Sequence, residues 1–312
     1  MSKVYDVIII GGGPAGLSAA LYTGRSKLST LLIERGNIGG LITTTNEIEN
    51  YPGSIKGDSG TTLTERMREQ ALQFGSEIVI DEINSVDLSL ELKVLKGNNA
   101  EYTCKSIIIA SGGLPRLLGC EGELSHIGMG VSYCATCDGA FFEGLETFVI
   151  GGGSSAIEEA IYLTRFASKV TIIHRRKEFR AEKILIEKAM NNPKISFILD
   201  TVIEEIIGDG PVNEIAIKNL ITGGKSSIKA NEKDGYFGVF IFTGYIANSK
   251  LWEGILDLTS EGYIKTDKTM QTSIRGIFAA GDVIEKSLRQ VVTAVSDGAI
   301  AAMSALKFMD EK

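Results

Sequence analysis

The segment Tyr133-Cys134-Ala135-Thr136-Cys137-Asp138-Gly139 sets two thiols three positions apart and a carboxylate directly after the second. Spacing alone leaves three chemistries open: a metal site, a structural staple or a redox disulfide. Cys120 and His126 could join Cys134 and Cys137 as a four-ligand zinc set, but the spacing matches no recognised finger or ribbon. As a staple the pair closes too short a loop to restrict the unfolded chain much. The redox reading uses more of the segment. A C-x-x-C pair opens and closes with little backbone movement, and its spacing tends to lower one thiol's pKa. Asp138 then stands where a general acid–base could give or take the thiol proton. An Asx turn ahead of Gly139 is the plainer role for that aspartate. Cys104, in the apolar run Y-T-C-K-S-I-I-I-A, reads as a small buried hydrophobe.

The elements that would carry this segment repeat. V-Y-D-V-I-I-I-G-G-G-P-A-G-L-S-A-A-L-Y aligns without a gap, at an offset of 140 residues, with L-E-T-F-V-I-G-G-G-S-S-A-I-E-E-A-I-Y-L. Each copy predicts a β-branched strand, a glycine turn, an amphipathic helix and a second strand. Gly11, Gly13 and Gly16 spell G-x-G-x-x-G; Gly151, Gly153 and Ala156 spell G-x-G-x-x-A. In such a turn the first glycine makes the bend, the second lets a pyrophosphate approach, and the third packs helix on strand. The anion rests on the helix N-terminus, where free N–H groups and the dipole favour it. A pair of ordinary glycine turns is the bland alternative, and the recurrence in register argues against it.

The residue 18 positions beyond the third motif position separates the two copies. In the first it is Glu34, a carboxylate that can accept from ribose hydroxyls, as FAD or NAD requires. In the second it is His174, followed by Arg175, Arg176 and then Arg180, a cluster suited to the 2′-phosphate of NADP. A solvated basic face is the competing reading of those arginines. Two different dinucleotide sites in one chain imply a hydride passed between carriers, which favours FAD in the first and NADPH in the second. The segment Thr272 to Asp282 ends a short apolar strand on Gly281-Asp282, a turn that could face a flavin's ribityl chain.

Composition limits the rest. At 312 residues, 44% apolar and 23% charged, the chain is long enough for two ordinary globular domains. Glycine is abundant (36) and proline scarce (5), a balance that fits tight turns better than disordered linkers. A net charge of −7 gives no support to nucleic acid or an anionic membrane as partner. The longest uncharged run, from Val7 to Gly24, is broken by glycines and Pro14, which favours strand, turn and helix over a membrane span. Four cysteines and no leader-like N-terminus predict a reducing, cytoplasmic location.

With these pieces assembled, the chain resembles the low-molecular-weight, NADPH-dependent thioredoxin reductases over almost its full length. The resemblance rests on G-G-G-P-A-G-L, E-I-E-N-Y-P-G, A-S-G-G-L-P-R, C-A-T-C-D-G, G-G-G-S-S-A-I-E-E-A, H-R-R-K-E-F-R-A and T-S-I-R-G-I-F-A-A-G-D with Arg289-Gln290. It implies an α/β chain of two Rossmann-like, three-layer domains, with the NADPH domain inserted into a discontinuous FAD domain. The expected boundaries are 1–115 and 243–312 for FAD and 116–242 for NADPH, the latter carrying the cysteines. FAD would be held by Gly11, Gly13, Pro14, Ala15, Gly16, Glu34, Gly40, Asn50, Ser111, Gly112, Gly281, Asp282, Arg289 and Gln290. NADPH would be held by Gly151, Gly153, Ser154, Ser155, Ala156, His174, Arg175, Arg176 and Arg180. Cys137 would take electrons at the flavin ring, Asp138 would handle the proton, and thioredoxin or a thioredoxin-like protein would be the final acceptor. The resemblance further implies a homodimer and rotation of one domain against the other about crossovers near Pro115 and Thr243. Two positions depart from it: Leu41 replaces a common glutamine and Ser111 a common threonine. A ferredoxin-fed flavin thioredoxin reductase is the nearest alternative, and the intact arginine cluster argues against it.

Overall fold

The run Val4–Ile10 buries Val7, Ile8 and Ile9 completely, which is why it lacks the polar alternation of a half-exposed strand. It pairs in parallel on both sides inside a mixed sheet of a computed structural model that describes residues 3–45, 47–89 and 91–311. The chain divides into two compact units: Met1–Leu114 with Ile246–Lys312, and Pro115–Tyr245.

In the first unit the strand order is Glu77–Ile80, Thr30–Glu34, Val4–Ile10, Glu101–Ile109, Lys93–Gly97 and Ile83–Asp87. The first four run parallel. The long strand Glu101–Ile109 divides its edge, pairing antiparallel with Lys93–Gly97 through its first half and parallel with Ile277–Ala279 through its second. Successive side chains point to opposite faces. Val7, Ile9 and Leu32 therefore enter one core with the helices Pro14–Arg25 and Val291–Asp310, while Ile8, Leu31 and Ile33 enter another with Trp252 and Leu256. Val291–Asp310 is the one helix among the described residues long and apolar enough to cross a membrane. Its Ala294, Ala301, Ala302 and Ala305 are instead buried in the first of those cores. A Cβ on Gly298 would stand 2.1 Å from the Ala15 carbonyl oxygen, so the two helices touch backbone to backbone.

The second unit has a five-stranded parallel sheet ordered Ile195–Ile198, Lys169–Ile173, Glu146–Ile150, Gly238–Ile241 and Val131–Ser132. Its first four members repeat the order third, second, first, fourth seen in the other unit. The α/β class with two Rossmann-like units that the resemblance implies is thus the one found. A three-stranded antiparallel sheet, Thr201–Ile207, Glu214–Asn219 and Lys225–Lys229, is added to it.

Candidate active site

The edge strand Val131–Ser132 ends by delivering Tyr133 and Cys134 to a one-turn helix, Ala135–Asp138. Cys134 and Cys137 are joined as a disulfide. The turn is seated from below: Ala135 is buried, and a Cβ on Gly139 would press on Leu163 and Phe166 at 3.1 and 3.4 Å. Ser132 links its parts. The Cys134 N–H donates to Ser132 Oγ at 3.0 Å, and Ser132 Oγ donates to Asp138 Oδ2 at 2.6 Å. Burial pushes the Asp138 carboxyl above the usual carboxylate range, with the Ser132 hydrogen bond pulling the other way.

Glu123, almost fully buried, braces the approach to the pair. Its Oε1 accepts from Leu118 N–H at 2.9 Å and Tyr133 O–H at 2.8 Å, and its Oε2 accepts from Gly119 N–H at 2.8 Å. Tyr245 O–H donates to the Tyr133 carbonyl at 3.1 Å. The remaining thiols are of another kind. Burial pushes Cys104 up to about 12, and burial with the Glu123 charge pushes Cys120 up to about 11. His126 has a carbonyl oxygen at each ring nitrogen, Gly122 at 2.7 Å and Gly208 at 3.1 Å.

The first glycine turn leaves Val4–Ile10 and enters Pro14–Arg25 with Gly13 as N-cap and Pro14 at the first helical turn, where its missing N–H costs nothing. Gly11 has φ +110°, and a Cβ on Gly16 would meet the Gly11 carbonyl oxygen at 1.8 Å. Glu34 accepts from Gly12 N–H at 2.6 Å through Oε2 and from Gly36 N–H at 3.0 Å through Oε1. Gly40 comes so close that a Cβ on it would lie 3.1 Å from Gly13 Cα. Asn50 Nδ2 donates to Gln290 Oε1 at 3.2 Å, which joins two expected site residues 240 positions apart. Ser111 Oγ donates to the Asn248 carbonyl at 2.8 Å, and Asn248 Nδ2 returns a bond to the Ser111 carbonyl at 2.9 Å. Asp282 Oδ1 and Arg289 Nε are buried with no hydrogen-bond partner among the described residues, and Leu41 is exposed. Orphaned polar atoms of this kind fit a site whose partner is a hydroxyl-rich ligand.

The second turn has the same construction. Gly153 caps Ser154–Leu163, and a Cβ on Gly151 would meet Ala156 Cβ at 2.7 Å. A Cβ on Gly153 would meet nothing within 4 Å, which leaves space over the helix N-terminus. Ser155 is exposed, whereas Ser154 Oγ accepts from Glu182 N–H at 3.2 Å. Arg175, Arg176 and Arg180 are exposed, and His174 is buried. Both turns therefore fit dinucleotides, one with a carboxylate at the ribose position and one with guanidinium groups.

The model of the pyridine nucleotide-disulphide oxidoreductase family matches residues 5–298. A thioredoxin reductase of Peptoclostridium acidaminophilum is 55% identical over 99% of this chain and 98% of its own length. The chain belongs to the thioredoxin reductases of that family. Among solved structures, the thioredoxin reductase of Streptococcus pyogenes superposes with a TM-score of 0.93 at 44% identity, covering all of both chains. That of Lactococcus lactis, described as its FR conformation, is also 44% identical, over 99% of this chain and all of its own, with a TM-score of 0.67. Membership makes the chain an oxidoreductase.

For a thioredoxin reductase, the sequence left several supporting residues unread: Ser132, Glu123, Asn248 and the pair Lys286–Asp297. Asp297 Oδ2 accepts from Lys286 Nζ at 2.5 Å and from Gly281 N–H at 3.2 Å, which holds the turn that presents Asp282. Only the serine six positions before Asp138 carried a local signal, as a hydroxyl preceding a short turn.

Proposed function

We propose that the chain is an NADPH-dependent thioredoxin-disulfide reductase that uses FAD. The observation that carries the reading is the Cys134–Cys137 disulfide followed directly by Asp138, whose carboxyl burial pushes up, in the unit with the arginine-lined turn. In this reading the unit made of Met1–Leu114 and Ile246–Lys312 holds FAD at Gly11, Gly13, Gly16, Glu34, Asn50, Asp282, Arg289 and Gln290. The unit Pro115–Tyr245 holds NADPH at Gly151, Gly153 and Ala156, with Arg175, Arg176 and Arg180 at the 2′-phosphate. Bound flavin supplies what no side chain can, acceptance of a hydride's electron pair and its return to a disulfide.

The chain's own residues do the rest. Once reduced, one thiolate of the pair attacks a sulfur of the partner's disulfide, forming a mixed disulfide and releasing one partner thiolate. The other thiolate of the pair then attacks the first cysteine's sulfur, which re-forms Cys134–Cys137 and releases the second partner thiolate. Asp138, whose carboxyl burial pushes above the usual carboxylate range, exchanges a proton with the thiols as they ionise and leave. The partner is thioredoxin or a thioredoxin-like protein, as the names of the relatives support.

Because both the cysteines and the nicotinamide lie on one unit and both need one flavin, the units rotate between half-reactions. A homodimer in the cytoplasm completes the reading, in line with two thiols left free.

Anaerobic mixing of the flavin-loaded protein with NADPH, and separately NADH, tests it. Fast bleaching of the flavin by NADPH alone is the expected result. A flavin that dithionite bleaches and neither nucleotide does would defeat the proposal and make reduced ferredoxin the first donor to try.

A further inference from the structure

His174 is surrounded differently from the arginines that follow it. It is 5% exposed, whereas Arg175, Arg176 and Arg180 lie open to solvent. Its imidazole rests on the glycine turn so closely that a Cβ on Gly152 would fall 2.2 to 2.4 Å from three ring atoms. The Phe179 ring stacks on it with centroids 5.2 Å apart and 17° between planes, and Phe179 in turn meets Phe197 edge-on at 5.7 Å. His174 Nε2 is 3.2 Å from the Glu178 carbonyl oxygen. A carbonyl only accepts, so Nε2 carries the proton. Two further bonds tie the same segment down: Arg180 N–H donates to the Gly152 carbonyl at 2.8 Å, and Glu182 N–H donates to Ser154 Oγ at 3.2 Å.

We propose that His174 and Phe179 form an aromatic peg that fixes the backbone carrying Arg175, Arg176 and Arg180 over the glycine turn, with His174 acting as a stacking ring and not as a fourth cation on the phosphate. The proposal rests on the reading that these arginines hold the 2′-phosphate of NADPH. Burial pushes the His174 pKa below its ordinary value; the hydrogen bond to the Glu178 carbonyl pulls the other way, and the neighbouring guanidinium groups add to the fall. Its placement explains the pairing of residue types. Gly152 has to be glycine because the ring occupies the space of a side chain, and the ring has to be flat because the turn lies beneath it. Long arginine side chains lose much freedom on binding an anion, so a backbone fixed beforehand lowers the entropy lost when the phosphate arrives.

Calorimetry on the flavin-loaded full chain tests this without turnover, with adenosine 2′,5′-bisphosphate as probe and 5′-AMP as the ligand lacking the 2′-phosphate. Phe179→Ala is expected to weaken the bisphosphate about tenfold while leaving 5′-AMP unchanged, and Phe179→Tyr to restore it. His174→Phe, which keeps a flat ring and removes any charge, is expected to bind the bisphosphate within about threefold of the parent. Arg175→Ala/Arg176→Ala is the control. If that control loses the 2′-phosphate preference and Phe179→Ala keeps it, the peg is wrong and the phosphate site stands. If the control loses nothing, the phosphate site and the peg both fail. A loss in His174→Phe as large as in the control would make His174 a cationic ligand and overturn the proposal.

Proton–nitrogen NMR gives a second readout on the unaltered protein, because the chain has only two histidines and His174→Phe identifies one signal. The His174 imidazole is expected neutral with and without the bisphosphate. An imidazolium appearing on binding would reject the peg.

Discussion

Ser132 Oγ donates a 2.6 Å hydrogen bond to Asp138 Oδ2, and through the same hydroxyl it accepts the Cys134 N–H. One buried serine therefore bonds both the Asp138 carboxylate and the first cysteine. Ser132→Ala lets burial act on Asp138 unopposed, so its carboxyl pKa rises further. The pH profile of dithiol–disulfide exchange should move upward, and stability should fall by about 1 kcal/mol for the lost hydrogen bond. Ser132→Thr should restore both. A profile that stays in place in Ser132→Ala would leave the serine a purely structural role.

Asp138 is a residue whose chemistry works against the fold. Its folded pKa lies above its unfolded one, so the folded state binds the proton more tightly. Its contribution is most favourable below the ordinary carboxylate range of about 4 and is lost as pH rises through the folded value. Asp138→Asn should therefore raise Tm at pH 7.5 by a few degrees, with the gain shrinking as pH falls toward 5. The same substitution should slow dithiol–disulfide exchange about 10²–10⁴-fold. Unchanged exchange kinetics would remove Asp138 from the proton path.

Asp282 shows the same tension in the other unit. Its Oδ1 is buried without a hydrogen-bond partner among the described residues, and burial raises its pKa despite Lys286 and Arg289 nearby. Asp282→Asn should melt at a higher temperature than the parent when both are stripped of flavin. It should also bind FAD roughly 10- to 100-fold more weakly, as expected for loss of a charged hydrogen-bond acceptor. Equal flavin affinity in the two proteins would show that the carboxylate does not meet the cofactor.

Thiol labelling separates the four cysteines. Cys104 and Cys120, pushed up to about 12 and about 11, are about 10⁻⁴ and 10⁻³ ionised at pH 8. Brief alkylation at pH 8 should leave the oxidised protein unmodified and add two groups, on Cys134 and Cys137, after reduction. Mass spectrometry that finds label on Cys120 in the oxidised protein would contradict the burial argument.

The glycine turns were readable in the sequence because their constraints are local. Gly11 and Gly16 touch within six residues, as do Gly151 and Ala156, so the requirement is written in adjacent letters. The contacts between distant segments were not. Asn248 bonds Ser111 across 137 positions, and Glu123 accepts from Tyr133 only after the chain has turned. No spacing rule reports either. In the sheet Thr201–Ile207, Glu214–Asn219 and Lys225–Lys229 the two inner strands carry an alternating pattern, while the outer one is mostly exposed and leaves little hydrophobic period to detect. His174 is grouped with the arginines by its letter, and its burial against Gly152 and Phe179 is the contact between separate segments that the proposed peg adds.

The strand Ile277–Ala279 lies against Ile107–Ile109, and Ser106 Oγ reaches the Gly276 carbonyl across 170 positions. During synthesis on the ribosome, the amino-terminal half of that sheet must wait for chain that is made last. The inserted unit, by contrast, emerges as one uninterrupted block with all its strands. Assembly therefore has a built-in order. The unit bearing the cysteines can close its core while the other still lacks Ile277–Ala279 at that strand and the helix Val291–Asp310 over its core face.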